Sequence, residues 1–321
     1  LAMSGYHIRE SGATAAQEIA FTFANAKAYL DECVRRGVGV DQVAPTLFTF
    51  LAITMDFLPE IAKFRAARRV WARLMRDHYG ARDPRSQQLR IFAFTAGSSL
   101  TAQQPLNNVV RASLEATAAA LAGVQTMHVS AYDEALGVPT EAAATLALRT
   151  QQVVAFESGL TETIDPLAGS YAIETLTGEL EAEIWQVLEE IDTRGGALAC
   201  IESGWFTDEL SEAAYTQLKE VESGERIVVG VNRFPAQTEP LEVFTVDPAL
   251  ERAQAQAVAD LRARRDQAAV TAALAGLKAA AEGGENVLPA TVEAVKAYAT
   301  IGEIVAVLRE VHGEWKPSGG I

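Results

Sequence analysis

What most constrains this chain is an alternation in its first half, where a short strand-like run is followed by a helical one four times in succession. The strand-like runs are residues 1–7, 43–52, 89–95 and 123–130. Between the first two, residues 14–36 place apolar side chains at three- and four-residue spacings and stop at Gly37, the pattern of an amphipathic helix closed by a glycine. Asp56 reads as the N-cap of a second helix that reaches about residue 79, with Gly80 after it. Further helices are expected over about 102–121 and from Pro139 or Thr140 to about 158. Such alternation favours a parallel sheet with right-handed crossovers, either doubly wound or closed into a (β/α)8 barrel. Four units do not close eight strands, so the barrel reading requires a partner that supplies the other half.

Beyond Asp165 the pattern turns helical, over about 176–194, 195–202 and 207–223, before residues 226–234 read as one more strand. A link at 235–242 leads to one long helix over about 248–282, whose alanine-rich part carries an apolar stripe and suits a surface or an interface. A last helix, about 289–312, precedes a Gly-Gly tail. The expected division is a half barrel over 1–165, a helical segment packing on it over 166–234, and a helical extension over 235–321 that offers a subunit interface. The chain opens at Leu1 directly on an apolar segment, so an upstream portion is expected.

Composition narrows the partners. Asp and Glu number 42 against 27 Lys and Arg, and the resulting charge of -15 repels phosphates and argues against nucleic acid. Cys33 and Cys200 lie far apart with no C-x-x-C spacing, which points to a reducing, cytoplasmic setting. No run approaches the roughly 20 apolar residues that cross a bilayer, and no leader pattern is recognisable, so no membrane partner is expected.

Candidate chemistry concentrates where parallel strands end, because side chains there face the usual active-site mouth. Ser4-Gly5-Tyr6-His7 ends the first run, and His7 could hydrogen-bond a carbonyl oxygen as charge develops on it, or be a structural histidine satisfied by backbone. His128 ends the fourth and is followed by Tyr132-Asp133-Glu134, which suits a polar ligand equally with a helix-entry cap. Lys63, Arg65, Arg68, Arg69, Arg73 and Arg76 spread round the second helix and read as a solvated, ion-paired face. Arg85, in a loop just before the third strand, is placed to reach a ligand phosphate. Phosphate-loop, dinucleotide, nucleophile-elbow and H-E-x-x-H motifs are missing, and the four histidines are too dispersed to predict a metal site.

Several longer runs add a resemblance. Ser4 to Glu10, Glu60 to Arg69, Leu100-Thr101-Ala102-Gln103-Gln104-Pro105, Asp133-Glu134-Ala135, Arg149-Thr150-Gln151-Gln152 and Gly230-Val231-Asn232 resemble the methylmalonyl-CoA mutase superfamily, in the expected order and over nearly the whole chain. The resemblance implies an α/β fold, the C-terminal half of a (β/α)8 TIM barrel followed by a mainly helical extension. It implies a radical 1,2-rearrangement of an acyl thioester, with coenzyme A threading the barrel and adenosylcobalamin over its C-terminal mouth. Carried over by position, His7 contacts the thioester carbonyl and Tyr6 lines the substrate and cofactor cavity. Arg85 approaches the coenzyme A tail, Gln125 and Thr126 follow the pantetheine path with His128 beyond them, and Ser130 and Glu134 fall on the cofactor side, Glu134 at the adenosyl ribose.

Three positions depart from the family pattern: Thr46 stands where Arg is usual, and Phe92 and Phe94 where His and Gln are common. Desolvating a polar pantetheine against Phe without replacement hydrogen bonds costs on the order of 1–3 kcal/mol per group. Either the thioester carrier sits differently or the ancestral substrate is no longer used. The resemblance begins near the fifth barrel strand, and the D-x-H-x-x-G signature of a cobalamin-binding domain is missing. The expected assembly is therefore a hetero-oligomer of this chain, an N-terminal barrel-half chain and a small cobalamin-binding subunit that holds most of the adenosylcobalamin. Two alternatives stand beside the mutase: a binding or assembly subunit without mutase activity, and a mutase acting on a carrier-protein-bound thioester.

Overall fold

The computed structural model describes residues 2–237, 241 and 243–316. Leu1, part of the link at 235–242, and the Gly-Gly tail lie outside the described residues. The described chain divides into two compact units, one up to Phe244 and one from Thr245 onward.

The first unit is built on a four-stranded parallel sheet in the order β1-β2-β3-β4, so the α/β alternation is present. The strands are β1 (Ala2–Ser4), β2 (Phe48–Ile53), β3 (Ile91–Thr95) and β4 (Thr126–His128). After β1 come a short helix α1 (Tyr6–Glu10), α2 (Ala15–Arg35) and a single turn α3 (Val40–Val43). Then α4 (Phe57–Arg73, continued by a π turn), α5 (Asn107–Leu121) and α6 (Glu141–Phe156) follow their strands. Three more helices, α7 (Tyr171–Thr193), α8 (Ala197–Ser203) and α9 (Trp205–Ser223), complete the unit.

Period-two alternation assigns each sheet face. Met3, Thr49, Leu51, Ile53, Ile91, Ala93 and Thr95 are buried on one face. Ile19, Phe23 and Leu30 of α2 and Ile61, Phe64 and Trp71 of α4 belong to the same core, and α7 adds Ile173, Ile184, Leu188 and Ile191. Each large side chain so buried stabilises the fold by about 1.5–3 kcal/mol. On the opposite face Ser4, Phe48, Phe50, Phe92, Phe94, Thr126 and His128 stay exposed or half-buried.

Several boundaries differ from expectation for local reasons. The first strand ends at Ser4, because Gly5 donates the last ladder bond to Phe50 and its own carbonyl then accepts from Arg9, starting a helix that carries Tyr6 and His7. β2 starts late because Pro45 sits in a 3-10 turn over Ala44–Thr46. Residues 226–234 form a turn with one isolated bridge, Val229 to Arg233, closed at Gly230 with φ of 85°. Asp56 precedes α4 but caps nothing, its carboxylate being bonded by Arg226. Of the basic run on α4 and its π turn, Arg65, Arg69, Arg73 and Arg76 are ion-paired as expected, Arg68 instead donates to the Ala122 and Gly123 carbonyls, and Lys63 is ion-paired but fully buried.

The second unit contains α10 (Pro248–Arg264), α11 (Gln267–Glu282), α12 (Val287–Lys296) and α13 (Ile301–His312). Both long helices expected here are broken in two. Asp266 caps the amides of Ala268 and Ala269, and Thr300 forms a capping box with Glu303 just after Tyr298, whose φ is 65°. Leu277, Ala294 and Ile304 form the core, with Arg265 bonded to Glu303 and to the Tyr298 carbonyl at its edge. The Arg265 hydrogen bond, then the Thr300 amide, holds the Glu303 carboxyl well below the usual carboxylate range. A depressed carboxylate contributes stability that is present above its unfolded pKa and is lost as pH falls toward the folded one. Thermal unfolding followed from pH 6 to pH 3 is expected to show that loss beginning near about pH 4, and Glu303→Gln to remove part of it.

Candidate active site

Strand register lines up the open face of the sheet. Ser4, Phe50, Phe92 and Thr126 form one row across it, and Ala52, Phe94 and His128 the next. The rings pack into one wall: Phe50 to Phe94 at 4.3 Å between centroids, Phe92 to Phe94 at 4.7 Å and Phe94 to His128 at 4.5 Å. α1 adds Tyr6, stacked on Phe50 at 4.9 Å, and His7, 5.5 Å from Tyr6 and edge-on to Phe50. Tyr6, His7, Phe92, Phe94 and His128 are thus brought together at the C-terminal side of the sheet. Phe50, at the centre, was passed over by the motif reading, although the alternation Phe48-Thr49-Phe50-Leu51 puts it on the same face as Phe92 and Phe94.

The turn that aims Tyr6 and His7 depends on Gly5. A Cβ there would stand 2.4 Å from the Thr22 hydroxyl and 2.7 Å from Leu51, so only glycine lets β1 and α1 meet α2 and β2 this closely. Burial, then the charge of Glu10, raises the Tyr6 hydroxyl to about 12, so it stays protonated and can donate. Glu10 in turn accepts from the Ser98 amide and hydroxyl at 3.0 and 2.8 Å, linking α1 to the loop after β3. His7 is exposed and lies edge-on to the rings of Tyr6 and Phe50, so its imidazole is open to a ligand at the rim of the wall.

α1 rests on a buried charge network. Lys63 Nζ donates to Glu18 at 2.7 Å and to the Ala52 carbonyl at 2.8 Å, and pairs with Glu60 at 2.5 Å. Glu18 accepts from the Ala52 amide, while Glu60 accepts from Thr54 and from Arg9 of α1. Burial pushes both carboxyls up. At Glu60 the charges of Lys63 and Arg9 outweigh it and leave the carboxyl below its usual range, whereas at Glu18 burial wins. The end of β2 is therefore clamped at both backbone groups of Ala52 beside the aromatic wall.

The other candidates lie elsewhere or are otherwise engaged. Thr46, Arg85 and Gln125 precede β2, β3 and β4, at the N-terminal edge of the sheet. Thr46 donates to the Val43 carbonyl, Arg85 is exposed and paired with Asp83, and Gln125 accepts from the Ile91 amide. Thr126 is exposed on β4. Ser130 is buried, donating through its hydroxyl to the Thr95 carbonyl and through its amide to the Thr95 hydroxyl. Glu134 accepts from the Ala131 amide through one oxygen, and Asp133 accepts from the Thr140 amide and hydroxyl at the entry to α6. Among the described residues no cluster of three His, Cys, Asp or Glu could hold a metal, and no helix is long and apolar enough to cross a membrane.

Beside the site, Glu115 of α5 is fully buried. Burial raises it to about 9, which the nearby Ser99 hydroxyl offsets only in part. The unfolded chain ionises this group above about pH 4.3 while the folded chain keeps it neutral, so stability falls as pH rises through that window. Glu115→Gln is expected to be more stable than the parent at pH 8 by on the order of 2 kcal/mol, with no gain at pH 4, in chemical denaturation.

The first unit presents a parallel α/β sheet whose C-terminal side carries an aromatic wall flanked by Tyr6, His7 and His128. Residues 1–314 match the family model described as methylmalonyl-CoA mutase. The chain belongs to the methylmalonyl-CoA mutase family. It is 44% identical over 98% of its length to the 2-hydroxyisobutanoyl-CoA mutase large subunit of Aquincola tertiaricarbonis, covering 56% of that protein. It is 42% identical to the methylmalonyl-CoA mutase of Cereibacter sphaeroides and 42% identical to the methylmalonyl-CoA mutase large subunit of Streptomyces virginiae. In both cases 98% of this chain aligns with 44% of the relative. The chain thus spans about half the length of the curated relatives it matches.

Proposed function

We propose that this chain is the C-terminal half of a (β/α)8 mutase barrel and takes part in the radical 1,2-rearrangement of an acyl-CoA. The observation that carries the reading is the convergence of Tyr6, His7 and His128 on one wall at the C-terminal ends of β1 to β4. In this reading residues 1–165 are the barrel half, 166–234 pack on it, and 235–321 form an extension that meets another subunit. A complementary chain adds strands beside β1 and β4 and encloses the aromatic face. The thioester arm enters at the edge that holds Thr46, Arg85 and Gln125, passes Thr126, Phe92 and Phe94, and brings its carbonyl to His7. His7 donates to that oxygen, Tyr6 and the rings exclude water, and Tyr6 keeps its proton throughout.

The rim fits adenosylcobalamin in part. Glu134 spends one oxygen on the Ala131 amide and retains another for a ribose hydroxyl, whereas the Ser130 hydroxyl is committed to Thr95 and acts by holding β3 to the end of β4. When bound, mainly by a small cobalamin-binding subunit, the cofactor supplies the carbon radical that starts the rearrangement. The setting proposed is cytoplasmic and the assembly hetero-oligomeric. The test is to purify the chain with its complementary half and a cobalamin-binding subunit, add acyl-CoA, and follow cobalt–carbon cleavage by visible absorbance and the rearranged product by mass spectrometry. A complex that shows neither thioester binding nor cleavage would overturn the reading.

One observation favours a different thioester carrier: Phe92 and Phe94 stand side by side on the wall, and the Thr46 hydroxyl is turned to the Val43 carbonyl. Competition between acyl-CoA and an acyl-carrier protein separates a mutase for a carrier-bound substrate from one for free acyl-CoA. Restoration of coenzyme A binding by Phe92→His with Phe94→Gln, in a protein that otherwise lacks it, would mark a subunit retired from catalysis.

A further inference from the structure

A second cavity, of about 520 Å3, lies beyond the ends of β2 and β3, behind the loop Ser98–Thr101 and against residues 226–229. That volume is in the range of small-molecule sites. Its lining is unusual for a chain of net charge -15: three guanidiniums, Arg9, Arg111 and Arg226, and, among the described residues, no carboxylate. Two of the three are neutralised behind the wall, Arg9 by Glu60 and Arg226 by Asp56. Arg111 is not. It is 8% exposed and, among the described residues, donates only to neutral oxygens, those of Thr101, Asn108 and the Val229 carbonyl. Burial lowers the Arg111 guanidinium, and the charge of Glu115, one turn further along α5, offsets that only in part.

A buried cation without a counter-ion is costly, and a site that keeps one is suited to receive an anion. The remaining wall is aliphatic, with Val110, Val221, Ile227, Val228 and Val229. Its shape is fixed by Arg111 on the Val229 carbonyl and by Asn232, which donates to the Val221 and Arg226 carbonyls. We propose that this cavity binds a small amphipathic carboxylate, its head on Arg111 and its apolar body against Val110, Val228 and Val229. One uncompensated charge matches a monoanion, and the aliphatic wall rejects an ion that brings no apolar surface. The site is separate from the aromatic wall and does not depend on the mutase reading.

The test is calorimetric titration of the intact protein, as isolated with the chains that accompany it, at fixed ionic strength. The probes are phenylbutyrate, its uncharged counterpart phenylbutanol, and inorganic phosphate. Phenylbutyrate is expected to bind saturably, at least about tenfold more tightly than either of the others. Val110→Glu, which sets a negative charge at the exposed rim of the cavity, is expected to weaken it by about tenfold or more without lowering the melting temperature. Arg111→Gln should do the same, and Val110→Glu decides the matter if Arg111→Gln fails to fold. Absence of saturable binding, equal binding of the alcohol or of phosphate, or indifference to Val110→Glu overturns the proposal.

Discussion

Replacing Lys63 with methionine is expected to cost about 3–5 kcal/mol of folding stability, the largest loss from any single substitution outside the apolar core. The methionine fills the space but leaves Glu18 and Glu60 facing one another with no exposure to water, and it removes the donor to the Ala52 carbonyl. Chemical denaturation of the parent and the Lys63→Met protein under the same buffer measures the difference. Substituting Glu18 and Glu60 with Gln in the same chain is expected to recover part of it, because the neutral amides no longer require the ammonium. A loss under about 1 kcal/mol, the size expected for an exposed pair, would mean that the network is hydrated in solution.

Under the proposed function, the second large effect falls on catalysis. In the reconstituted assembly, His7→Ala is expected to lower kcat on the order of 10²–10³-fold with a smaller change in KM, as for loss of one donor to a developing oxyanion. His7 is exposed and contributes nothing to the buried core, so the melting temperature should stay where it is. A loss within about threefold would remove His7 from the carbonyl and return it to the role of a surface histidine.

These two residues also show what the sequence could and could not reveal. The alternation of strands and helices was legible because glycines close its helices at Gly37 and Gly80; Thr14 and Thr140, where two helical runs were expected to begin, cap α2 and α6. The four parallel strands follow, and so does the open face, since period two is enough to place Phe92, Phe94, Thr126 and His128 together. Lys63 was not legible. It sits in a run of arginines most of which are indeed ion-paired, and although Glu60 lies one turn away on the same helix, the second carboxylate, Glu18, is 45 positions away on another. Residues 226–234 were misread because Ile227-Val228-Val229 has strand character, but a strand also needs a neighbour to pair with, and here the backbone closes on itself at Gly230. The breaks at Asp266 and Thr300 failed differently, since each is an ordinary cap inside a continuous apolar pattern.

The length of the last strand has a consequence for the open edge of the sheet. The inner strands β2 and β3 have six and five residues, while β4, at one edge of the sheet, has three. An outer strand of three residues presents few free amides and carbonyls, too few to template a long ladder with a stray copy. Dimensions of this kind act as a brake on self-stacking during synthesis. An identical copy therefore gains little by adding to that edge.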